Sequence, residues 1–373
     1  MKFIHLSDLH IGKRVNEFSM IEDQKFILNE ILKIIDDETP DAVIIAGDVY
    51  DKSIPSTEAV ELLDSFLVRL SKRHTEVFII SGNHDSPERL TFGARLIDSS
   101  GIHIAPVYNG EITPYRVKDV NIWLLPFIKP AHVRRFFDDE PIESYTDAMR
   151  VAINHMQVND DERNILVTHQ FVTGSSRTES EDISVGGADN IDASVFDVFD
   201  YVALGHIHRP QSCGSERIHY CGTPLKYSFS EANDKKSVTV GELNDDGQMT
   251  IRLVPLNPLH DMVELKGRYD ELVNKSFYEN TTYQEDYTHI TLTDEDDIPD
   301  AVSKLRTIYH NLMKLDYDNL RTRTNNIING ANEAENKSPI ELFDDFYIER
   351  NGQALNDEQT AFLQAIIEDI WEG

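Results

Sequence analysis

The stretch Ala42–Asp51, Ala-Val-Ile-Ile-Ala-Gly-Asp-Val-Tyr-Asp, constrains the fold more than any other. Its run of small and branched apolar residues suits a strand buried on both faces, as in the middle of an α/β sheet. Gly47 permits a sharp turn, and Asp48 follows at the carboxyl end of the strand. Ligand sites in such sheets gather at those ends. A carboxylate there costs free energy unless a cation meets it, so Asp48 reads as a bridging ligand between two metal ions. A Gly-Asp pair alone marks an ordinary strand-ending turn. The metal reading therefore needs other ligands elsewhere in the chain.

Four further strand ends supply them. Lys2–Leu6 reads as a buried strand followed by Ser7-Asp8-Leu9-His10. On an extended backbone Asp8 and His10 point the same way. Val77–Ile80 leads into Ser81-Gly82-Asn83-His84-Asp85, where Asn83 offers a neutral oxygen to a divalent ion and His84 is placed to face the substrate. Asn164–Thr168 leads to His169, and Tyr201–Leu204 leads to Gly205-His206-Ile207-His208, whose imidazoles again alternate on an extended backbone. His103–Ala105 and Asn121–Leu125 are further strands. Helical periodicity covers Phe18–Asp37, Ser56–Lys72, Pro87–Ser99, Pro130–Asp139 and Glu143–Val158. The first of these makes a βαβ unit. Thr173–Asn190 is polar and aperiodic, a mobile loop beside the site.

At 373 residues the chain can form two or three domains around a sizeable core. No apolar run reaches the length of a membrane span, and the N-terminus goes straight into a strand, so a cytoplasmic protein away from membranes is expected. Cys213 and Cys221 fit a reducing compartment. With His206, His208 and His219 they match no zinc spacing and read as ordinary thiols. The net charge of −31 repels nucleic acid. A DNA-binding function would need positive charge from metals, from a local basic cluster such as Lys226, Arg177 and Arg209, or from a partner. No glycine-rich phosphate loop occurs, so any ATP hydrolysis belongs to another chain.

Taken together and in order, Asp8-x-His10, Gly47-Asp48-x-x-Asp51, Gly82-Asn83-His84-Asp85, His169 and Gly205-His206-x-His208 resemble the calcineurin-like metallophosphoesterase superfamily over Met1–Leu256. The resemblance implies a four-layer α/β/β/α sandwich with a di-metal site. One metal would take Asp8, His10, Asp48 and His208, the other Asp48, Asn83, His169 and His206. His84 would meet the phosphate and Asp51 would orient it. Imidazoles among the ligands favour a transition metal such as manganese, iron or zinc over calcium, and two manganese ions are the expected cofactor. Ser237–Leu243 and Met249–Leu256, joined by an Asp-Asp-Gly turn, are expected to complete the second sheet.

Asp51 is followed by Lys52-Ser53, and Asn83-His84 by Asp85, unlike the protein phosphatases of the superfamily. Leu6-Ser7-Asp8-Leu9-His10-Ile11-Gly12 and Gly222–Ser230 are similar to SbcD-like nucleases over nearly the whole chain. That likeness implies a DNA exonuclease and endonuclease working with an SbcC-like ATPase in repair, recombination and replication. It also implies a homodimer, within a heterotetramer, formed through Ser56–Lys72 and Pro87–Ser99. Leu62, Leu63, Phe66, Leu67 and Leu70 would supply more than one apolar face for it. A small-molecule or cyclic-nucleotide phosphodiesterase is the alternative that the net charge favours. A non-catalytic scaffold is the third, and the full ligand set argues against it.

The expected division is a nuclease domain at 1–258, an α+β capping domain at 259–324, a linker at 325–337 and a helical segment at 338–373. In the capping domain Met262–Lys266 and Tyr287–Leu292 read as strands, Arg268–Phe277 and Pro299–His310 as helices, and Asp294–Asp297 as a helix cap. In the tail, Leu342, Phe343, Phe346 and Tyr347 form one apolar stripe. Phe362, Leu363, Ile366, Ile367, Ile370 and Trp371 form another. Such a C-terminal helical hairpin reads, by the same resemblance, as the tether for the ATPase.

Overall fold

A computed structural model describes residues 1–181, 189–244 and 247–320, together with 322, 343, 347, 355, 359, 360, 362 and 363. The predicted linker at 325–337 lies outside the described residues, as does the C-terminal hairpin apart from the single residues named.

The chain opens with β1 (Lys2–Leu6), a hairpin of β2 (Arg14–Val15) and β3 (Phe18–Ser19), and helix α1 (Ile21–Glu38). It continues through β4 (Ala42–Ala46), α2 (Thr57–Ser71), β5 (Glu76–Ile80), the short helices α3 (Pro87–Leu90) and α4 (Ala94–Ile97), and β6 (Ile102–Ala105). A second run contains β7 (Tyr115–Val117), β8 (Val120–Leu125), α5 (Pro130–Arg134), α6 (Tyr145–Met156), β9 (Arg163–His169), β10 (Tyr201–Gly205), β11 (Gln211–Cys213) and β12 (Ser215–Tyr220). β13 (Ser237–Leu243) and β14 (Met249–Pro255) close the large domain. Two six-stranded sheets result, ordered β14-β13-β1-β4-β5-β6 and β11-β12-β10-β9-β8-β7.

Alternation along the strands builds four layers. Ile4, Val43, Ile45, Val77 and Ile79 pack under α1 and α2 against Ile27, Ile31, Leu63 and Phe66. Their neighbours Phe3, Ile44, Phe78 and Ile80 face Ile122, Ile165, Val167 and Ala203 of the other sheet. Leu166, Val202 and Leu204 then face Met149, Ala152 and Ile153 of α6. The order helix, sheet, sheet, helix is the one expected.

Several expectations are corrected. β13 and β14 extend the first sheet, not the second: β13 pairs antiparallel with β1, with Phe3 opposite Gly241. Alternation identifies a strand but does not say which free edge it joins, and Gly241 leaves room for the Phe3 ring where a Cβ would collide. Pro87–Ser99 is not one helix. Gly93 at φ +80° separates α3 from α4, and among the residues of both helices only Leu90 and Ala94 are buried, so no apolar face holds a longer helix. On α2, Leu63, Phe66 and Leu70 are core and Leu62 and Leu67 pack partly against it. The apolar residues left exposed in this region are Ile54, Val60, Val68, Phe92 and Leu96. α1 starts at Ile21 because Phe18 and Ser19 pair with Val15 and Arg14. α5 stops at Arg134, and Ser144 caps α6 reciprocally with Asp147.

After Pro255 a smaller unit forms from β15 (Met262–Gly267), α7 (Tyr269–Leu272), α8 (Lys275–Tyr278), β16 (Tyr287–Leu292), α9 (Ala301–Leu305) and β17 (Asn311–Tyr317). Its three strands are parallel, and the sequence reading missed β17. Asp294 does cap a helix, but the earlier one: its Oδ2 accepts from Tyr269 N at 2.7 Å. This sheet meets the large domain through Asp23 of α1, which is buried. Asp23 accepts from His260 N at 3.1 Å and from Tyr287 Oη at 2.6 Å.

A buried polar pair sits between the two large sheets. His5 Nδ1 lies 3.0 Å from Tyr201 Oη, and the His219 ring is edge-on to His5 at 6.4 Å. Burial, with repulsion from His219, drives His5 well below the usual imidazole range, and burial takes His219 down to about 4. The unfolded chain then binds protons that the native state does not, so this contribution is complete above pH 6.5 and is lost as pH falls toward 4. At pH 5 it should cost about 2 kcal/mol from His219 alone. Urea midpoints should fall between pH 7 and pH 5, and His219→Gln should flatten that fall. A variant midpoint that drops as steeply as the parent's would show His219 to be irrelevant to acid stability.

Candidate metal centre

All nine predicted site residues come to one edge of the two-sheet core, beyond the carboxyl ends of β1, β4, β5, β9 and β10. Hydrogen bonds between their loops hold them there. Asp8 N donates to Gly47 O at 3.0 Å and His10 N to Asp48 O at 2.9 Å. His206 N donates to both carboxylate oxygens of Asp8, at 3.2 and 3.1 Å. Asp85 ties the β4 and β5 loops together by accepting from Val49 N, Tyr50 N and Gly82 N at 2.9–3.1 Å. Burial and the Asp48 charge nevertheless push its carboxyl up to about 6.

The side chains do not converge by strand alternation, as the sequence reading assumed. Asp8, His10, Asp48 and His206 have φ of 52°, 44°, 48° and 103°. Non-glycine residues in this region carry backbone strain, which the surrounding contacts must hold in place. Close approach requires glycine at Gly47, Gly82 and Gly205. A Cβ on Gly82 would overlap the Asp48 carboxylate, and one on Gly205 would overlap Ala46 O of the facing sheet.

Asp48 lies at the centre and is 1 % exposed. Its Oδ2 stands 3.7 Å from His10 Nε2, 3.4 Å from His169 Nε2 and 3.8 Å from His84 Nε2. On one side Asp8 Oδ1 is 4.0 Å from His10 Nε2, and His208 Nε2 is 3.2 Å from the same atom. On the other, Asn83 Oδ1 is 3.0 Å from His169 Nε2 and 3.1 Å from His206 Nδ1. The two predicted ligand groups are thus adjacent and share Asp48. His84 N donates to Asp48 Oδ1 at 3.0 Å, and His84 Nδ1 lies 3.2 Å from the main-chain oxygen of Asp51. The contact to Asp51 therefore runs through its carbonyl. Its carboxylate instead takes Lys13 Nζ at 2.8 Å.

The donors fit divalent ions. His169 Nδ1 donates to Ala46 O at 2.8 Å; burial disfavours its charge, but Asp48 outweighs that and raises the imidazole to about 9, so a cation bound at Nε2 would take the place of a proton there. His10 and His208 bring two imidazole nitrogens face to face, an arrangement suited to a shared cation. Burial opposes ionisation of Asp48, but the neighbouring His169, charged in the absence of metal, outweighs it and holds the carboxyl well below its usual range. Burial keeps His10 neutral and takes His206 down to about 3, so both present lone pairs at neutral pH. Carboxylate oxygens with imidazoles are a donor set for a transition-series metal. The buried cluster and the fold fit a di-metal site.

Several residues around the cluster escaped the sequence reading. Gln24 Nε2 donates to His10 O at 2.7 Å and Gln24 Oε1 accepts from Gly12 N at 2.9 Å. Tyr227 Oη donates to Leu9 O at 2.6 Å. Ser180 and Glu181, from the predicted loop, contact His208. Tyr227 and Asp85 stand inside stretches already singled out, whereas Gln24 and Glu181 carry no local pattern. The basic residues expected to offset the charge are paired: Arg177 with Asp189 at 3.0 Å, Arg209 with Asp234 at 2.9 Å and Lys226 with Asp261 at 2.7 Å.

Gly82→Ala should leave far-UV dichroism unchanged but weaken manganese binding at least about 10-fold, the scale of losing a supporting contact. Calorimetric titration would measure it. Parental affinity in this variant would mean that Asp48 takes no part in binding metal.

A profile of the Calcineurin-like phosphoesterase family matches residues 1–210, and one described as Type 5 capsule protein repressor C-terminal domain matches residues 258–351. The chain is 33 % identical over 319 residues to the SbcD subunit of the SbcCD nuclease of Staphylococcus epidermidis, covering 84 % of this chain and 85 % of that protein. Among solved structures, a dimetal phosphatase from Danio rerio aligns with a TM-score of 0.43 at 13 % identity, over 69 % of this chain and 98 % of its own. A protein from Thermus thermophilus aligns with a TM-score of 0.39 at 13 % identity, over 68 % and 98 %. On the sequence matches, this chain belongs to the SbcD family of calcineurin-like phosphoesterases.

Proposed function

We propose that the chain is a manganese-dependent DNA nuclease that hydrolyses phosphodiester bonds. The observation that carries this reading is the buried Asp48 carboxylate, shared by two adjacent donor groups with His84 beside it. Two divalent ions in such a site activate water and neutralise charge on the phosphoryl group. The chain's own residues do the rest. Asp8, His10, Asp48 and His208 would hold one ion; Asp48, Asn83, His169 and His206 would hold the other. His84 Nδ1–H is fixed on Asp51 O, so the proton for the leaving oxygen is the second one, carried on Nε2 of the imidazolium; giving it up leaves the neutral Nδ1–H ring.

Resemblance to an SbcD nuclease supports DNA as the substrate and an SbcC-like ATPase as the partner in end processing, repair and recombination in the cytoplasm. Among the described residues no helix is long and apolar enough to cross a membrane. The division at 1–258, 259–324, 325–337 and 338–373 stands as part of this proposal, with the last segment as the tether. Phe92 and Leu96, 92 % and 81 % exposed beside a metal-site loop, support a homodimer within a heterotetramer. The net charge of −31 and the carboxylate partners of Arg177, Arg209 and Lys226 favour a partner that supplies most of the positive surface for DNA. They also favour the second reading, a small-molecule or cyclic-nucleotide phosphodiesterase.

Purified chain with manganese, offered linear duplex DNA, single-stranded circles and a chromogenic phosphodiester, separates the two. Cleavage of the chromogenic compound alone, with and without the ATPase, would sink the nuclease reading. Asp48→Asn should abolish hydrolysis. His84→Gln should keep its metal by elemental analysis and lose on the order of 10²-fold or more in turnover. Loss of metal from His84→Gln would make it a ligand instead.

Deleting 338–373 should abolish co-purification with the ATPase. Cleavage of small phosphodiesters and a dimeric mass by light scattering should both survive. Full-affinity capture of the ATPase by the shortened chain would put the tether elsewhere.

A further inference from the structure

His208 is held on three sides. Its N donates to Glu181 Oε1 at 2.6 Å. Its carbonyl oxygen accepts from Lys236 Nζ at 2.9 Å and Thr223 N at 3.1 Å. Its ring Nδ1 lies 2.6 Å from Ser180 Oγ, and its Nε2 is turned to the cluster. Ser180 in turn donates to Glu231 Oε1, and Lys236 Nζ binds the other oxygen of the same carboxylate. Glu231 is 0 % exposed, so its charge survives in the interior only because Lys236 balances it.

Counting protons fixes the direction of this chain of bonds. A carboxylate only accepts, and a serine hydroxyl has one proton to give. With that proton committed to Glu231, Ser180 Oγ offers lone pairs to its other neighbours, Thr178 Oγ1 at 2.9 Å and His208 Nδ1. Nδ1 must therefore carry the imidazole proton.

We propose that Glu231, acting through Ser180, is a positioning residue that fixes His208 with its proton on Nδ1 and its lone pair on Nε2, aimed at the ion shared with Asp8 and His10. This rests on the di-metal reading above. The relay serves one donor group only. In the other group the His169 ring is fixed separately by Ala46 O. Breaking the relay should therefore weaken one of two metal sites.

Ser180→Ala tests it by removing the link to Glu231 Oε1 while leaving Lys236 on the other oxygen of that carboxylate, and Ser180→Thr restores the hydroxyl. Calorimetric titration of the full chain with manganese should give two equivalents for the parent. In Ser180→Ala one should be unchanged and the other about 10- to 100-fold weaker. Ser180→Thr should return close to the parent. Nitrogen-15 shifts of His208 in the metal-free protein should report a proton on Nδ1 in the parent and a shift toward Nε2 protonation in Ser180→Ala. Unchanged affinities, equal loss at both sites, or an unaltered tautomer in Ser180→Ala would overturn the assignment and leave the di-metal reading standing. A parent chain that takes up no manganese would overturn both.

Discussion

One buried carboxylate organises the molecule. Asp48 stands at the end of a strand whose every residue is buried, where two sheets come close enough that Gly205 must be a glycine. Its charge survives there because imidazoles from both sheets converge on it. Those imidazoles sit where they do because loop amides from one strand end bond to the next. The site is the place where the two sheets are locked in register, and the electrostatics and the architecture share the same atoms.

The sequence made much of this legible. Strand ends followed by Asp, Asn and His pointed to the side chains that stand nearest Asp48, but not to Gln24, Ser180 or Glu181 around them. The apolar alternation in β1, β4 and β5 announced which positions lie under helices and which face the second sheet. What could not be read was anything decided by distant parts of the chain. β13 has an ordinary strand pattern, and only the Phe3 ring opposite Gly241 tells which edge it joins. The convergence of Asp8 with His10 comes from left-handed backbone held by loop contacts, which no side-chain spacing announces. Pro87–Ser99 looked helical because its residues suit a helix, yet a short segment with two buried side chains has too little packing to stay in one piece. Glu231 and Gln24 act on the cluster through partners far away in the chain.

A strongly acidic chain holding so many imidazoles at one edge also separates two kinds of electrostatics. Inside, charges are few, paired and specific. Outside, Arg177, Arg209 and Lys226 already have carboxylate partners, so these three offer an approaching polyanion little long-range attraction.

The course of β13 bears on what counts as a unit of this protein. The family profile ends at residue 210, a natural place to cut the catalytic module. In space the sheet is not finished there. β13 returns to lie against β1, and the Met1 ammonium donates to Leu243 O at 2.7 Å. A polypeptide stopped near 210 would keep every one of the nine clustered residues yet leave β1 as a bare edge, its main-chain amides unpaired and its apolar neighbours wetted. It would also lack Lys236 and Glu231. The sheet is closed only near Pro255, well past the end of that profile.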